Sequence, residues 1–127
     1  MADYLVSGKK GSGKSAFCVG VIRSALKDGK RVATNLDIRV ENLVHCSNRR
    51  WFYRLPDRPS YSDLIAIGRG QEGVDEDQNG VLILDECSAF LNSRSWNDKG
   101  RQEFLDWVIH SRKHVWDTYF IDQCQEQ

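Results

Sequence analysis

A parallel α/β sheet is the fold this sequence predicts, on three observations. Short apolar segments alternate with longer stretches of helical periodicity. Several of the short segments are continuously apolar, and a glycine-rich loop falls between the first segment of each kind. A strand covered by helices on both faces loses the usual apolar–polar alternation, so this pattern points to a parallel sheet rather than a half-exposed antiparallel one.

Taken in order, Asp3-Tyr-Leu-Val-Ser7 is a short apolar run closed by Gly8, the pattern of a buried strand. From Lys14 to Lys27, Phe17, Val21 and Ala25 recur at fourfold spacing beside Cys18, Ile22 and Leu26. Together they form one broad apolar face of a helix that Gly29 stops. Arg31-Val-Ala-Thr-Asn-Leu36 reads as a second strand. Pro56 and Pro59 mark a connection, because proline does not fit an element interior. Ser60 or Ser62 can cap a short helix that runs through Ile67 and ends at Gly68. Gly70 to Gly80 is a polar, acidic loop, and Val81-Leu-Ile-Leu-Asp85 is a strand buried on both faces. Residues 98–113 form a helix with Phe104, Leu105, Val108 and Ile109 inward, and Val115 to Ile121 form a last strand.

The 127 residues suit one domain. With 18 basic and 18 acidic residues the chain has no global basic excess, which removes the simplest argument for a generic polyanion binder. The longest aliphatic run, Val81 to Leu84, is far short of the ~20 residues of a spanning helix. Asp3 and the early Lys9 do not fit a secretory leader. Cys18, Cys46, Cys87 and Cys124 are scattered without a C-x-x-C pair, as expected of reduced thiols in a cytosolic protein.

The sharpest motif is Gly8-Lys-Lys-Gly11-Ser-Gly13-Lys14-Ser15, a complete G-x-x-x-x-G-K-[ST] between a predicted strand and a predicted helix. Its glycines let backbone N–H groups turn inward toward phosphate oxygens, and the helix adds the positive end of its dipole. The expected nucleotide-binding stretch is Gly8, Lys9, Lys10, Gly11, Ser12, Gly13, Lys14, Ser15 and Ala16, with Lys9 and Lys10 read as surface lysines beside it. Lys14 reaches the β- and γ-phosphates, and the Ser15 hydroxyl is a ligand for Mg²⁺. An acidic partner should then follow a buried strand, and Val81-Leu-Ile-Leu-Asp85-Glu86 supplies one. Asp85 is the second Mg²⁺ residue, and Glu86 polarises the attacking water. No N-K-x-D string reads guanine, and a small-molecule kinase has no need of Glu86. Hydrolysis of a nucleoside triphosphate, ATP by default, is the reaction this pair implies. A nucleotide-dependent binding module with little turnover is the main alternative, and a small P-loop kinase the weaker one.

The order of motifs extends this reading. Tyr4-Leu-Val-Ser-Gly8 through Ser15 is followed by Arg31-Val-Ala-Thr-Asn-Leu-Asp37, Ser62-Asp-Leu-Ile-Ala-Ile-Gly-Arg69-Gly70 and Asn79-Gly-Val-Leu-Ile-Leu-Asp-Glu86-Cys87. Then come Asn92-Ser-Arg94-Ser-Trp96-Asn-Asp-Lys99, Asp106-Trp107, His110-Ser-Arg112-Lys113 and Trp116-Asp117. In this order they resemble the zonular occludens toxin (Zot) family, which includes the morphogenesis ATPase of filamentous bacteriophages. The resemblance covers nearly the whole chain and is weakest over residues 45–59 and from Thr118 onward. It implies a RecA-like ASCE P-loop core, working with ATP and Mg²⁺ on the cytoplasmic side of the bacterial inner membrane. It also implies a ring-shaped homo-oligomer, with phage assembly and coat proteins and single-stranded phage DNA as candidate partners. Gln123 falls at the family's polar sensor position and is expected to read the γ-phosphate. Arg69, Arg94 and Arg112 lie in shared motifs, and each is a candidate for an arginine offered to a neighbouring subunit's site. In the family a membrane-spanning segment and a periplasmic domain follow the ATPase domain. The expectation here is a single P-loop domain over residues 1–127, without those parts and shortened at its C-terminus.

Weaker constellations have plainer readings. Arg49-Arg50-Trp51-Phe52-Tyr53-Arg54 mixes cations and aromatics as single-stranded DNA sites do, yet an edge strand alternates in the same way and is preferred. His110 and His114 have zinc-helix spacing, but Ser111 stands where a metalloprotease has Glu. The tryptophans are core or interface residues, with Trp96 the one expected to sense the nucleotide state.

Overall fold

The computed structural model describes residues 3–8, 14–39, 41, 51–73, 78–85 and 98–123. Among them, the apolar segments form strands β1 (Asp3–Gly8), β2 (Val32–Thr34), β3 (Phe52–Arg54), β4 (Gly80–Asp85) and β5 (Trp116–Gln123). The periodic segments form helices α1 (Lys14–Lys27), α2 (Tyr61–Ile67) and α3 (Asp98–Ile109), and a 3₁₀ turn spans Ser111–His114. The sheet order is β1-β5-β4-β2-β3, with every pair parallel.

Helices cover both faces, which explains the continuous apolar run of β4. Val81 and Ile83 pack with Cys18, Ile22, Ala25 and Leu26 of α1. Leu82 and Leu84 face the other way, onto Leu64 and Ile67 of α2 and Phe104, Trp107 and Val108 of α3. Every side chain from Val81 to Leu84 is buried, each burial contributing about 1.5–3 kcal/mol. The Cys18–Ile22–Leu26 stripe of α1 is buried as the spacing predicts, whereas Phe17 remains 52% exposed. α1 ends at Lys27 and the chain turns at Gly29, whose φ of +79° a side chain would resist, with Lys30 N–H bonded to Ala25 O at 2.9 Å. Ser60 stands at the N-cap of α2, where the Asp63 carboxylate accepts its backbone N–H at 2.8 Å.

Two expectations need correction. The last helix stops at Ile109 rather than continuing to residue 113, and Ile109 is 64% exposed rather than inward. The 3₁₀ turn that follows rotates the chain so that Val115, at φ +57°, can aim β5 into the sheet. Segment Arg31–Leu36 is also paired over fewer residues than expected, since β2 spans only Val32–Thr34. In contrast, the described end of the mixed aromatic segment, Phe52–Arg54, is an edge strand, because β3 closes the sheet on the β2 side.

The amino-terminal edge of the sheet is a tight junction. Gly70 N–H bonds His114 O at 2.9 Å, and Gly80 N–H bonds Val115 O at 3.0 Å. Trp116 is fully buried, with Nε1 donating to Gly68 O at 2.8 Å. Arg31 lies 4.5 Å over the Trp51 ring, donates to Arg69 O at 2.7 Å and pairs with Glu72 at 2.8 Å, which ties the 69–73 loop to this edge.

Candidate functional site at the carboxyl edge of the sheet

Parallel strands deliver their carboxyl ends to one edge, and ligands of open α/β sheets sit where the connections leave toward opposite faces. Here β1 leads to α1 on one face and β4 leads to α3 on the other. The crevice between them therefore lies at the ends of β1, β5 and β4. Register places Gly8 beside Gln123, and Asp85 beside Ile121, which itself pairs with Val6. β5 thus stands between the strand feeding the glycine-rich loop and the strand ending in Asp85, the interposition an ASCE core requires.

The backbone of Gly8 closes β1, and Lys14 and Ser15 open α1, so the helix amino terminus is at this edge. Ala16 is exposed on the first turn. Asp85 is half-buried and lines a cavity of about 230 Å³ with Asn35, Asp37 and Asp57. Its charge reaches α1: the buried Cys18 thiol is pushed up to about 11, first by burial and then by Asp85. Cys18 is consequently a protonated core thiol at neutral pH. Among the described residues, no three His, Cys, Asp or Glu side chains converge to hold a metal ion.

Asn35 is a site residue that sequence reasoning missed. It is 6% exposed, accepts Asp85 N–H on Oδ1 at 2.6 Å and donates from Nδ2 to Asp85 O at 3.0 Å and Asp57 O at 3.2 Å. Its position just after a strand was the available signal, but its partner lies 50 residues away.

The candidate residues separate in space. Gly8, Lys14, Ser15, Ala16, Asp85 and Gln123 gather at the carboxyl edge. Arg69 and Arg112 are at the amino-terminal edge, and Arg69 donates to Gln71 O and Gly73 O at 3.4 Å. Lys9, Lys10, Gly11, Ser12, Gly13, Glu86, Arg94 and Trp96 lie outside the described residues. His114 stacks on Trp107 with ring centroids 4.9 Å apart, while His110 is exposed, and both lie beyond the end of α3.

The Zot family model matches residues 2–126. The chain belongs to the zonular occludens toxin family. Among its family relatives, the gene 1 protein of Enterobacteria phage fd is 49% identical over 126 residues, 97% of this chain and 36% of that protein. The gene 1 proteins of Escherichia phage If1 and Salmonella phage IKe are 48% and 43% identical over the same share of this chain. The Zot-family chain described here spans about a third of the length of these relatives. Its α/β sheet is that of a P-loop NTPase, and no helix among its described residues is long and apolar enough to cross a membrane.

Proposed function

We propose that this chain is the Mg²⁺-dependent ATP-binding and hydrolysing domain of a filamentous-phage assembly and extrusion motor. The observation that carries the proposal is the convergence at one sheet edge of Gly8, the α1 amino terminus and Asp85, with the G-x-x-x-x-G-K-S sequence joining the first two. The family relationship to phage gene 1 proteins supports the assembly role.

The donor set fits Mg²⁺-ATP. A half-buried carboxylate beside a helix amino terminus suits a hard cation that completes its shell with water and phosphate oxygens, so no all-protein cage is needed. When bound, Mg²⁺ would supply charge neutralisation to the phosphates. Lys14 and the 8–16 backbone hold the phosphates, and Ser15 and Asp85 hold the ion. Glu86 orients water and accepts its proton, and Gln123, on the strand between the two motifs, reads the γ-phosphate. Arg69 and Arg112 stand at the opposite edge from Asp85, so an arginine role for either is toward a neighbouring copy in a ring. The domain works at the cytoplasmic face of the host inner membrane, with coat and assembly proteins and single-stranded phage DNA as its partners.

The test is ATP binding and Mg²⁺-dependent phosphate release by the chain over a range of protein concentrations, with Lys14→Ala alongside. Release that rises more steeply than protein concentration and disappears in the variant is expected. Equal release by Lys14→Ala would refute the site. Tight binding without release would favour the nucleotide-dependent binding module.

A further inference from the structure

We propose that Asn35 is a positioning residue that aims the Asp85 carboxylate at the bound cation; this rests on the nucleotide site proposed above. The β2–β4 ladder ends at the pair Thr34–Ile83, and the next backbone bond, Asn35 N–H to Ile83 O, is stretched to 3.4 Å. β4 nevertheless runs two residues beyond Ile83, to Asp85. On the β2 side, the Asn35 side chain continues the ladder in place of backbone.

A carboxamide offers a donor and an acceptor side by side, as a peptide group does. Asn35 uses them on both main-chain groups of one residue, accepting Asp85 N–H at 2.6 Å and donating to Asp85 O at 3.0 Å. The same Nδ2 donates to Asp57 O at 3.2 Å, which brings the β3–α2 connection to the same point. The partners fix the amide orientation: reversed, it would set NH₂ against an N–H and oxygen against two carbonyls. Holding the N–H and C=O of Asp85 fixes its φ and ψ, and with them the direction of its Cα–Cβ bond. That direction limits the space the Asp85 carboxylate can sweep from the end of β4. No other side chain of this size supplies both groups. Aspartate would turn a carboxylate toward two carbonyl oxygens, and leucine would leave both Asp85 groups without this partner.

A residue that merely holds the fold would alter stability and leave cation affinity alone. The experiment compares the full chain, Asn35→Ala, Asn35→Ser and Lys14→Ala by fluorescence anisotropy of a labelled ATP analogue, first in EDTA and then through a Mg²⁺ titration. Each protein is also melted. For the Asn35 variants, the half-saturating Mg²⁺ concentration should rise about tenfold or more, the usual consequence of losing a partner that orients a metal ligand. Their affinity in EDTA should stay within about twofold, because the phosphates are held by the loop. Lys14→Ala should lose affinity in both media. Asn35 variants with lowered melting temperature and an unshifted Mg²⁺ curve would overturn the proposal, as would failure of both variants to fold. A wild-type chain that binds no nucleotide would instead overturn the site itself, and the Asn35 role with it.

Discussion

Gly70→Ala tests the junction at the amino-terminal edge. A Cβ at this position would lie 1.9 Å from Val115 O, 2.8 Å from Val115 C and 2.9 Å from Gly80 N. All three obstacles are backbone, so no side chain can swing aside, and the 69–73 loop must move by more than an ångström. That movement strains packing, at about 1–3 kcal/mol, and breaks the Gly70–His114 bond with about 1 kcal/mol more. The expected loss is about 2–4 kcal/mol, a large share of the ~5–15 kcal/mol that holds a domain together. Urea unfolding followed by tryptophan fluorescence measures it as a lower midpoint at unchanged slope. Gly20→Ala is the counterpart. Gly20 sits inside α1 with nothing within 4 Å of its Cβ, so the same substitution there should stabilise by about 0.5–1 kcal/mol. A Gly70→Ala midpoint equal to wild type would show that the junction is loose and the steric argument mistaken.

Other outcomes follow from the two edges of the sheet. Glu86→Gln should bind ATP and stall, since the amide keeps the shape of the side chain but cannot take a proton; normal phosphate release would assign the base elsewhere. His114 is held below its usual value of 6.5 by burial, then by the Arg69 charge, then by His110. The unfolded chain therefore takes up this proton at higher pH than the folded one. Stability should fall as pH drops through about 6.5 and level off below the folded pKa. His114→Gln should flatten that slope in denaturant titrations at several pH values, and an unchanged slope would remove His114 as its source.

The sequence made some parts of this molecule easy to read. β4 was legible because burial on both faces leaves four consecutive apolar residues, and the glycine-rich motif because its spacing and residue types are set within eight consecutive positions. The α2 start was legible because Ser60 and Asp63 satisfy each other locally. What escaped depends on partners distant in the chain. Nothing near Trp116 says that β5 inserts between β1 and β4, since strand order is decided by the whole set of crossovers. Asn35 looks like any residue ending a strand until Asp85 is brought beside it. Ile109 fits the apolar stripe by spacing, but the helix ends there and the 3₁₀ turn removes the surface it would have met.

The pairing of β1 with β5 sets a clock on the birth of the protein. Asp3 bonds in register with Thr118, and every described sheet contact of β1 is with β5. Of the five described strands β1 is made first, but its partner β5 is made last. At a synthesis rate of ~5–20 residues per second, that delay is roughly 6–23 s. Through that interval the β2, β3 and β4 strands can assemble, but β1 lacks the strand it pairs with. The edge that carries Gly8 and Gln123 is therefore the last of the described sheet to close.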